Sequence, residues 1–158
     1  MSTKYSEGVF PEDPSVTLGG SYIKKEISTK DGHPLVMHIW DTAGSESSRP
    51  MLPLYYRDSS AGLITYDIGN SKSFENIDYW AKELTQKLKP DSYVIAIVGN
   101  KADLPDEERQ VPTTRAYQYA KEKGYMFIET SAKTGAGVDE IFEQIAERIY
   151  KIGSVETE

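Results

Sequence analysis

The sequence contains no cysteine among its 158 residues. That excludes a disulfide framework, a thiol nucleophile and a thiolate zinc site, and it makes a reducing compartment the default. Only two histidines occur, His33 and His38; their spacing suits no metal site, and both are expected to be structural. No apolar run approaches the ~18 residues that cross a bilayer, and no secretory signal is legible. Positive charge is in deficit, with 18 Lys and Arg against 25 Asp and Glu for a net charge of −7. This balance argues against a nucleic-acid face and against unassisted adsorption to anionic membranes. One dipeptide is also missing. No glycine is followed by lysine, so the phosphate-cradling loop G-x-x-x-x-G-K-[ST] is absent.

What is present fits an ordinary globular chain. Hydrophobic residues make up 38% and charged residues 27%, and the length predicts one domain over residues 1–158. Short apolar runs alternate with helical patterns. Leu18–Ile27 and Leu35–Trp40 read as strands of a hairpin turning at Asp31-Gly32, within Lys30–His33. Ala61–Ile68, Tyr93–Gly99 and Met126–Glu129 read as buried parallel strands. Phe74, Ile77, Ala81, Leu84 and Leu88 fall at helical spacing, closed by Pro90. Thr113–Lys123 predicts a second helix ended by Gly124, and Val138, Ile141, Phe142, Ile145 and Ile149 mark a last one ending near Lys151 and Gly153. The alternation predicts a three-layer α/β fold with a mostly parallel sheet, ligands sitting beyond the strands' carboxyl ends.

The polar motifs fall at those ends. Asn100-Lys101-Ala102-Asp103 follows the run Val94–Val98. The Asp103 carboxylate can accept two hydrogen bonds from the guanine ring and its amino group, a pair that adenine does not offer. The Lys101 stem can cover the base, and Asn100 can tie neighbouring loops together. Thr130-Ser131-Ala132-Lys133 follows Met126–Glu129, where backbone N–H groups of Ser131, Ala132 and Lys133 can meet the guanine carbonyl oxygen. Asp41-Thr42-Ala43-Gly44 follows the hairpin. Asp41 can hold Mg²⁺ through water, the Gly44 N–H can meet a γ-phosphate, and Thr17 can offer its hydroxyl to the same ion. Asp106-Glu107-Glu108-Arg109 reads as a solvated charge run, and the eleven tyrosines are too scattered to stack bases.

Read together, these motifs resemble the Rab family of small GTPases. Thr17-Leu18-Gly19-Gly20-Ser21-Tyr22 resembles the first switch and Trp40-Asp41-Thr42-Ala43-Gly44-Ser45-Glu46 the second. Leu54-Tyr55-Tyr56-Arg57, Ile64-Thr65-Tyr66-Asp67-Ile68 and Asn76-Ile77-Asp78-Tyr79-Trp80 look Rab-like in particular. The resemblance implies GTP or GDP with Mg²⁺ as ligands, and effectors or regulators bound at the switch surface through Tyr22, Trp40 and Tyr55. It implies a cytoplasmic protein recruited to endomembranes by partners, serving vesicle traffic.

Three departures qualify what is implied. Lys4-Tyr5-Ser6-Glu7-Gly8-Val9-Phe10 resembles the end of the family's first helix, so the family's first strand and phosphate loop have no counterpart. The loop's N–H nest, its lysine and its Mg²⁺-ligating hydroxyl would be missing, and affinity is expected many orders below the family's. The missing strand lies mid-sheet in the family. Either its neighbours close up, another chain supplies a strand, or the domain is poorly stable, since each buried unpaired group costs about 1–3 kcal/mol. Ser45 stands where the family usually has the glutamine that orients water, which implies slow hydrolysis. The last residues, Ser154-Val155-Glu156-Thr157-Glu158, carry no prenylation cysteine, so no membrane anchor is expected. A nucleotide-free interaction module and a fragment of a longer GTPase remain the alternative readings.

Overall fold

The computed structural model describes residues 1–11, 20–42, 56, 58–88 and 92–155. A short helix α1 (Ser2–Glu7) precedes β1 (Gly20–Ser28) and β2 (Pro34–Thr42). Then come β3 (Ala61–Asp67), α2 (Ser71–Glu75), α3 (Ile77–Thr85) and β4 (Val94–Asn100). A 3₁₀ turn (Asp106–Glu108), α4 (Thr113–Lys123), β5 (Met126–Glu129) and α5 (Val138–Val155) complete the described order.

Each element follows from its local chemistry. In the hairpin, burial alternates with period two, so Ile23, Lys25 and Ile27 face inward with Leu35, Met37 and Ile39. Gly32 takes a left-handed φ of 83°, its N–H donates to Thr29 O at 2.9 Å, and Thr29 N donates to His33 O at 2.9 Å. The turn therefore sits where Asp31-Gly32 placed it. β4 is buried along Val94–Gly99 and runs parallel between β3 and β5, which is why it reads as an unbroken apolar run. Its side chains divide between two faces. Ile95 and Ile97 join Ile64, Tyr66 and Ile68 beneath α2, α3 and α4; Val94, Ala96 and Val98 join Tyr5 and the apolar face of α5. That is the three-layer α/β arrangement.

Two features differ in detail from the sequence reading. The helix anticipated through Leu88 is two helices meeting at Asn76, and the second stops at Thr85. Thr85 Oγ1 donates to Ala81 O at 2.9 Å and Lys82 O at 3.1 Å, competing for the last carbonyls of the helix. Asn70 caps the first helix, accepting from Lys72 N and Ser73 N; Pro90, the anticipated terminator, lies outside the described residues.

The strands also form two sheets, an antiparallel pair β1–β2 and a parallel trio β3–β4–β5. Among the described residues no strand joins β2 to β3. The hairpin is held instead by side chains. Lys25 Nζ donates to Tyr5 O at 2.6 Å and lies 3.6 Å over the Tyr5 ring; Ser2 Oγ donates to Asp41, and Lys30 N to Glu147. The Tyr5 ring stacks on Phe142 with centroids 3.8 Å apart, and burial pushes its hydroxyl up to about 12. Among the described residues, no helix is long and apolar enough to cross a membrane.

Candidate nucleotide-base site

Because β3, β4 and β5 are parallel, their carboxyl ends share one rim, and each ends in a polar residue: Asp67, Asn100 and Glu129. Two loops leave that rim and lock together. Ala102 N donates to Thr130 O at 2.9 Å; Ala132 N and Thr130 Oγ1 donate to Asn100 Oδ1 at 3.0 and 3.3 Å. Asn100 thus does what its position suggested, joining the loop after β4 to the loop after β5. Thr130, Ser131 and Ala132 are all buried, so this joint is the floor of the site.

Asp103 stands above the floor. Its Oδ1 accepts from Ser131 Oγ at 2.5 Å, and Lys133 Nζ lies 3.9 Å from its Oδ2. The Ser131 hydroxyl, aided by the Lys133 and Lys101 charges, holds the Asp103 carboxyl below the usual carboxylate range. It is therefore an ionised acceptor at neutral pH, with lone pairs to spare for a planar donor pair. Ser131 Oγ also accepts from Thr134 N at 3.1 Å. The N–H groups of Ser131 and Ala132 are engaged within the loops, with Ala136 O and Asn100 Oδ1 respectively. The groups these residues leave for a ligand are therefore few; Lys133 is the exposed member, its side chain 71% accessible.

Lys101 takes a left-handed φ of 69°, uncommon for a residue with a Cβ. Its Nζ lies 2.7 Å from Asp67 Oδ2, and Asp67 Oδ1 accepts from Gly69 N at 2.8 Å. The lysine stem is thereby carried across the rim from β4 toward β3, as a cover for a planar ring would have to be. Gly137 closes the second loop at φ 69°, where a Cβ would come within 2.7 Å of Glu129 O. Glycine is required there on both counts.

The remaining sequence candidates fall elsewhere. Asp41 ends β2 and accepts from Ser2 Oγ. Thr17, Gly44, Ser45 and Tyr55 lie outside the described residues. Among the described residues no three acidic or imidazole side chains gather as a metal cluster, so Asp41 is the described part of the candidate Mg²⁺ site. Tyr22 and Trp40 oppose one another across the hairpin, centroids 4.7 Å apart and 47% and 49% exposed. They form a surface feature rather than core.

Sequence reasoning missed two residues. His38 lies on the same face as Trp40, and its Nδ1 is 2.5 Å from Tyr22 Oη, so it is part of the exposed aromatic surface. Its place two residues before Trp40 was the available signal. Arg109 is not one more solvated charge. Its guanidinium grips Glu129 through two bonds of 2.6 and 3.0 Å, and Thr113 Oγ1 donates to the same carboxylate at 2.9 Å. The turn before α4 is pinned to the end of β5, although nothing in the local sequence pairs residues so far apart.

What the rim offers a ligand is the Asp103 carboxylate, an acceptor above a buried floor, flanked by Lys101 and Lys133. For the phosphates, the 158 residues hold no G-x-x-x-x-G-K-[ST]. Comparison with known proteins agrees with the fold. The Ras family profile matches residues 1–151. Ras-related protein Rab5A of Oryza sativa subsp. japonica is 38% identical over 148 residues, covering 94% of this chain and 71% of that one. Ras-related protein Rab-5A of Dictyostelium discoideum is 39% identical over 94% of this chain and 72% of its own. GTP-binding protein YPT52 of Saccharomyces cerevisiae is 35% identical over 94% and 75%. With the rim of strand ends, the two interlocked loops and these relatives in agreement, the chain belongs to the Ras family of small GTPases, as a Rab protein.

Proposed function

We propose that this chain is a guanine-nucleotide-binding protein of vesicle traffic that selects the base through Asp103. The observation that carries the reading is the joint between the loops after β4 and β5, which aims an ionised, half-engaged carboxylate outward from a buried floor. Lys101 and Lys133 would flank the base, Asp41 with Thr17 would hold Mg²⁺, and the Gly44 N–H would meet a γ-phosphate. Relatives whose names describe Ras-related and GTP-binding proteins support it. The 158 residues themselves hold the candidate base contacts and no G-x-x-x-x-G-K-[ST], so we expect this stretch by itself to bind nucleotide weakly. Because Ser45 is too short to orient water as glutamine does, hydrolysis is slow.

The test is displacement of a fluorescent GDP from the purified 158-residue chain, with and without Mg²⁺. GDP should compete and ADP should not. Asp103→Ala should lose guanine preference by about 10–100-fold, the equivalent of one charged hydrogen bond of ~1.5–3 kcal/mol. Equal competition by ADP in the parent chain would end the reading.

One observation favours a second reading, a binding module that works without nucleotide. Tyr22, Trp40 and His38 make an exposed aromatic surface on the hairpin, the residue types that anchor protein interfaces. An effector or regulator that held this surface equally well with and without GDP would favour the module; dependence on nucleotide favours the switch.

A further inference from the structure

We propose that a cavity at the amino ends of β4 and β5 is a second ligand site, which takes a small organic anion: a phosphate or carboxylate carried on an apolar body. β4 and β5 are parallel, so this end lies across the sheet from the candidate base rim, and the proposal does not depend on the base reading. Val94 and Met126 begin their strands there, Lys123 ends α4, and Arg148 and Ile152 stand one turn apart on α5. With Tyr93 and Tyr125 they line a cavity of about 350 Å³, at the lower end of the ~300–1,000 Å³ usual for small-molecule sites.

Another cavity, of about 450 Å³, lies where α2 and α3 meet α4, and its polar groups answer one another. Tyr119 Oη donates to Asp78 at 2.8 Å and Gln118 Nε2 to Glu122 at 2.8 Å, while the Arg115 guanidinium lies 4.9 Å from the centre of the Phe74 ring. A ligand there breaks contacts before it makes any. The cavity at the strand ends has the opposite character. Its lining holds two cations, Lys123 and Arg148, and no carboxylate, in a chain whose net charge is −7. Lys123 has a structural task, because it sits in the last turn of α4 with its Nζ 3.8 Å from Asp78. Arg148 has none. The residues one turn away on α5 are Gln144, Ile145, Lys151 and Ile152, and none is acidic. Among the described residues no hydrogen bond or ion pair engages its guanidinium.

The rest of the lining selects the ligand. A guanidinium meets a phosphate or carboxylate through two parallel hydrogen bonds, which an ammonium does not match. Burial, then the neighbouring Tyr93 phenol and the Asp78 charge, pushes the Tyr125 hydroxyl above its ordinary range. It therefore stays a neutral donor at physiological pH, and beside an oxyanion it adds a hydrogen bond and no repulsion. Val94, Ile95, Met126 and Ile152 supply the apolar wall. An anion with an apolar body buries surface against that wall, whereas bare phosphate has none to bury.

The experiment is an amide NMR titration of the full 158-residue chain, without nucleotide, at about 0.15 M salt so that loose surface attraction is screened. The probes are phenyl phosphate, inorganic phosphate and benzyl alcohol: the whole ligand, its charge alone and its body alone. The expected result is saturable shifts confined to Tyr93–Ile95, Lys123–Met126 and the turn of α5 around Arg148, with phenyl phosphate at least about tenfold tighter than either part. Arg148→Gln should weaken it by about tenfold or more and Arg148→Lys by less, whereas Arg115→Gln, in the other cavity, should change nothing. Arg148 is exposed, so these variants keep the fold, which the same spectra report. No saturable shift up to about 10 mM phenyl phosphate overturns the proposal. Inorganic phosphate binding as tightly as phenyl phosphate also overturns it, because charge attraction alone would then suffice. Shifts at Lys101, Asp103 and Lys133 in place of the cavity overturn it by putting the anion at the rim, and so does an Arg148→Gln chain that binds as well as the parent.

Discussion

Replacing Asn100 by alanine should separate the two loops that form the candidate base site. The side-chain oxygen is the sole described acceptor for Ala132 N–H, at 3.0 Å, and the nearer acceptor for the Thr130 hydroxyl, at 3.3 Å. Ala132 is 4% exposed and Thr130 not at all, so water does not readily replace the lost acceptor. A buried donor left unsatisfied costs about 1–3 kcal/mol. The Thr130 hydroxyl keeps a weak contact with Met1 Sδ at 3.8 Å, which holds the sum for both donors to about 2–4 kcal/mol. At ~2–4 °C per kcal/mol for a chain of this size, the melting temperature falls by about 5–15 °C. Lys133→Ala is the internal comparison. That ammonium is exposed and 3.9 Å from Asp103, so its removal costs at most about 0.5 kcal/mol. Thermal and urea unfolding of both variants give the two numbers directly. An Asn100→Ala loss below about 1 kcal/mol, or one no larger than that of Lys133→Ala, would refute the claim that this side chain holds the loops together.

Three further outcomes follow from single geometries. Tyr66→Phe should be neutral or stabilising by up to about 1 kcal/mol, because the buried Tyr66 hydroxyl has no hydrogen-bond partner among the described residues; a urea midpoint showing a loss above that amount would mean the hydroxyl has a partner. Gly137→Ala should cost about 2–4 kcal/mol by the same assay, since the new Cβ meets Glu129 O at 2.7 Å on a left-handed backbone. Ser131→Ala should return the Asp103 pKa toward its ordinary 3.8, read by carboxyl-carbon NMR titration. The sign is that of a lowered folded pKa: its stabilisation is present above the ordinary value and is lost as the pH falls through the lowered one. The parent should therefore lose stability more steeply than the variant in acid below about pH 4, and parallel acid limbs would refute the role of the Ser131 hydroxyl.

Local chemistry made much of this fold legible. α4 spans Thr113–Lys123 as the sequence indicates, because Pro112 precedes it and Gly124 ends it at φ 71°. β5 matches at Met126–Glu129, and β4 is displaced by one residue from Tyr93–Gly99. The motif loops fall at the strand ends because a parallel sheet directs all its carboxyl ends one way. What stayed hidden is what two distant segments do to one another. Asn76 interrupts a helix whose apolar spacing runs straight through it. Arg109 and Glu129 are joined only when β5 lies beside the turn before α4. Strand pattern also says nothing of which edges pair, so one anticipated sheet and two observed ones are written in the same alternation of residues.

The two ends of the candidate site consequently rest on different foundations. The candidate base end is made by loops that leave two strands laddered to each other, β4 and β5, and that are cross-linked by Asn100, Ser131 and Asp103. Its geometry is set by the β3–β4–β5 sheet and needs no ligand to form it, which is the condition for selective recognition by one carboxylate. Asp41, at the proposed metal end, belongs to the other sheet. Among the described residues its position relative to Asp103 is transmitted by contacts rather than by a ladder: Ser2 to Asp41, Lys25 to Tyr5, Lys30 to Glu147, Tyr5 stacked on Phe142, and Met37 and Ile39 packed on the same cluster. Contacts of that kind open at lower free energy than a laddered sheet. A ligand that bridges Asp103 and Asp41 would therefore stabilise the seating of the hairpin as it binds.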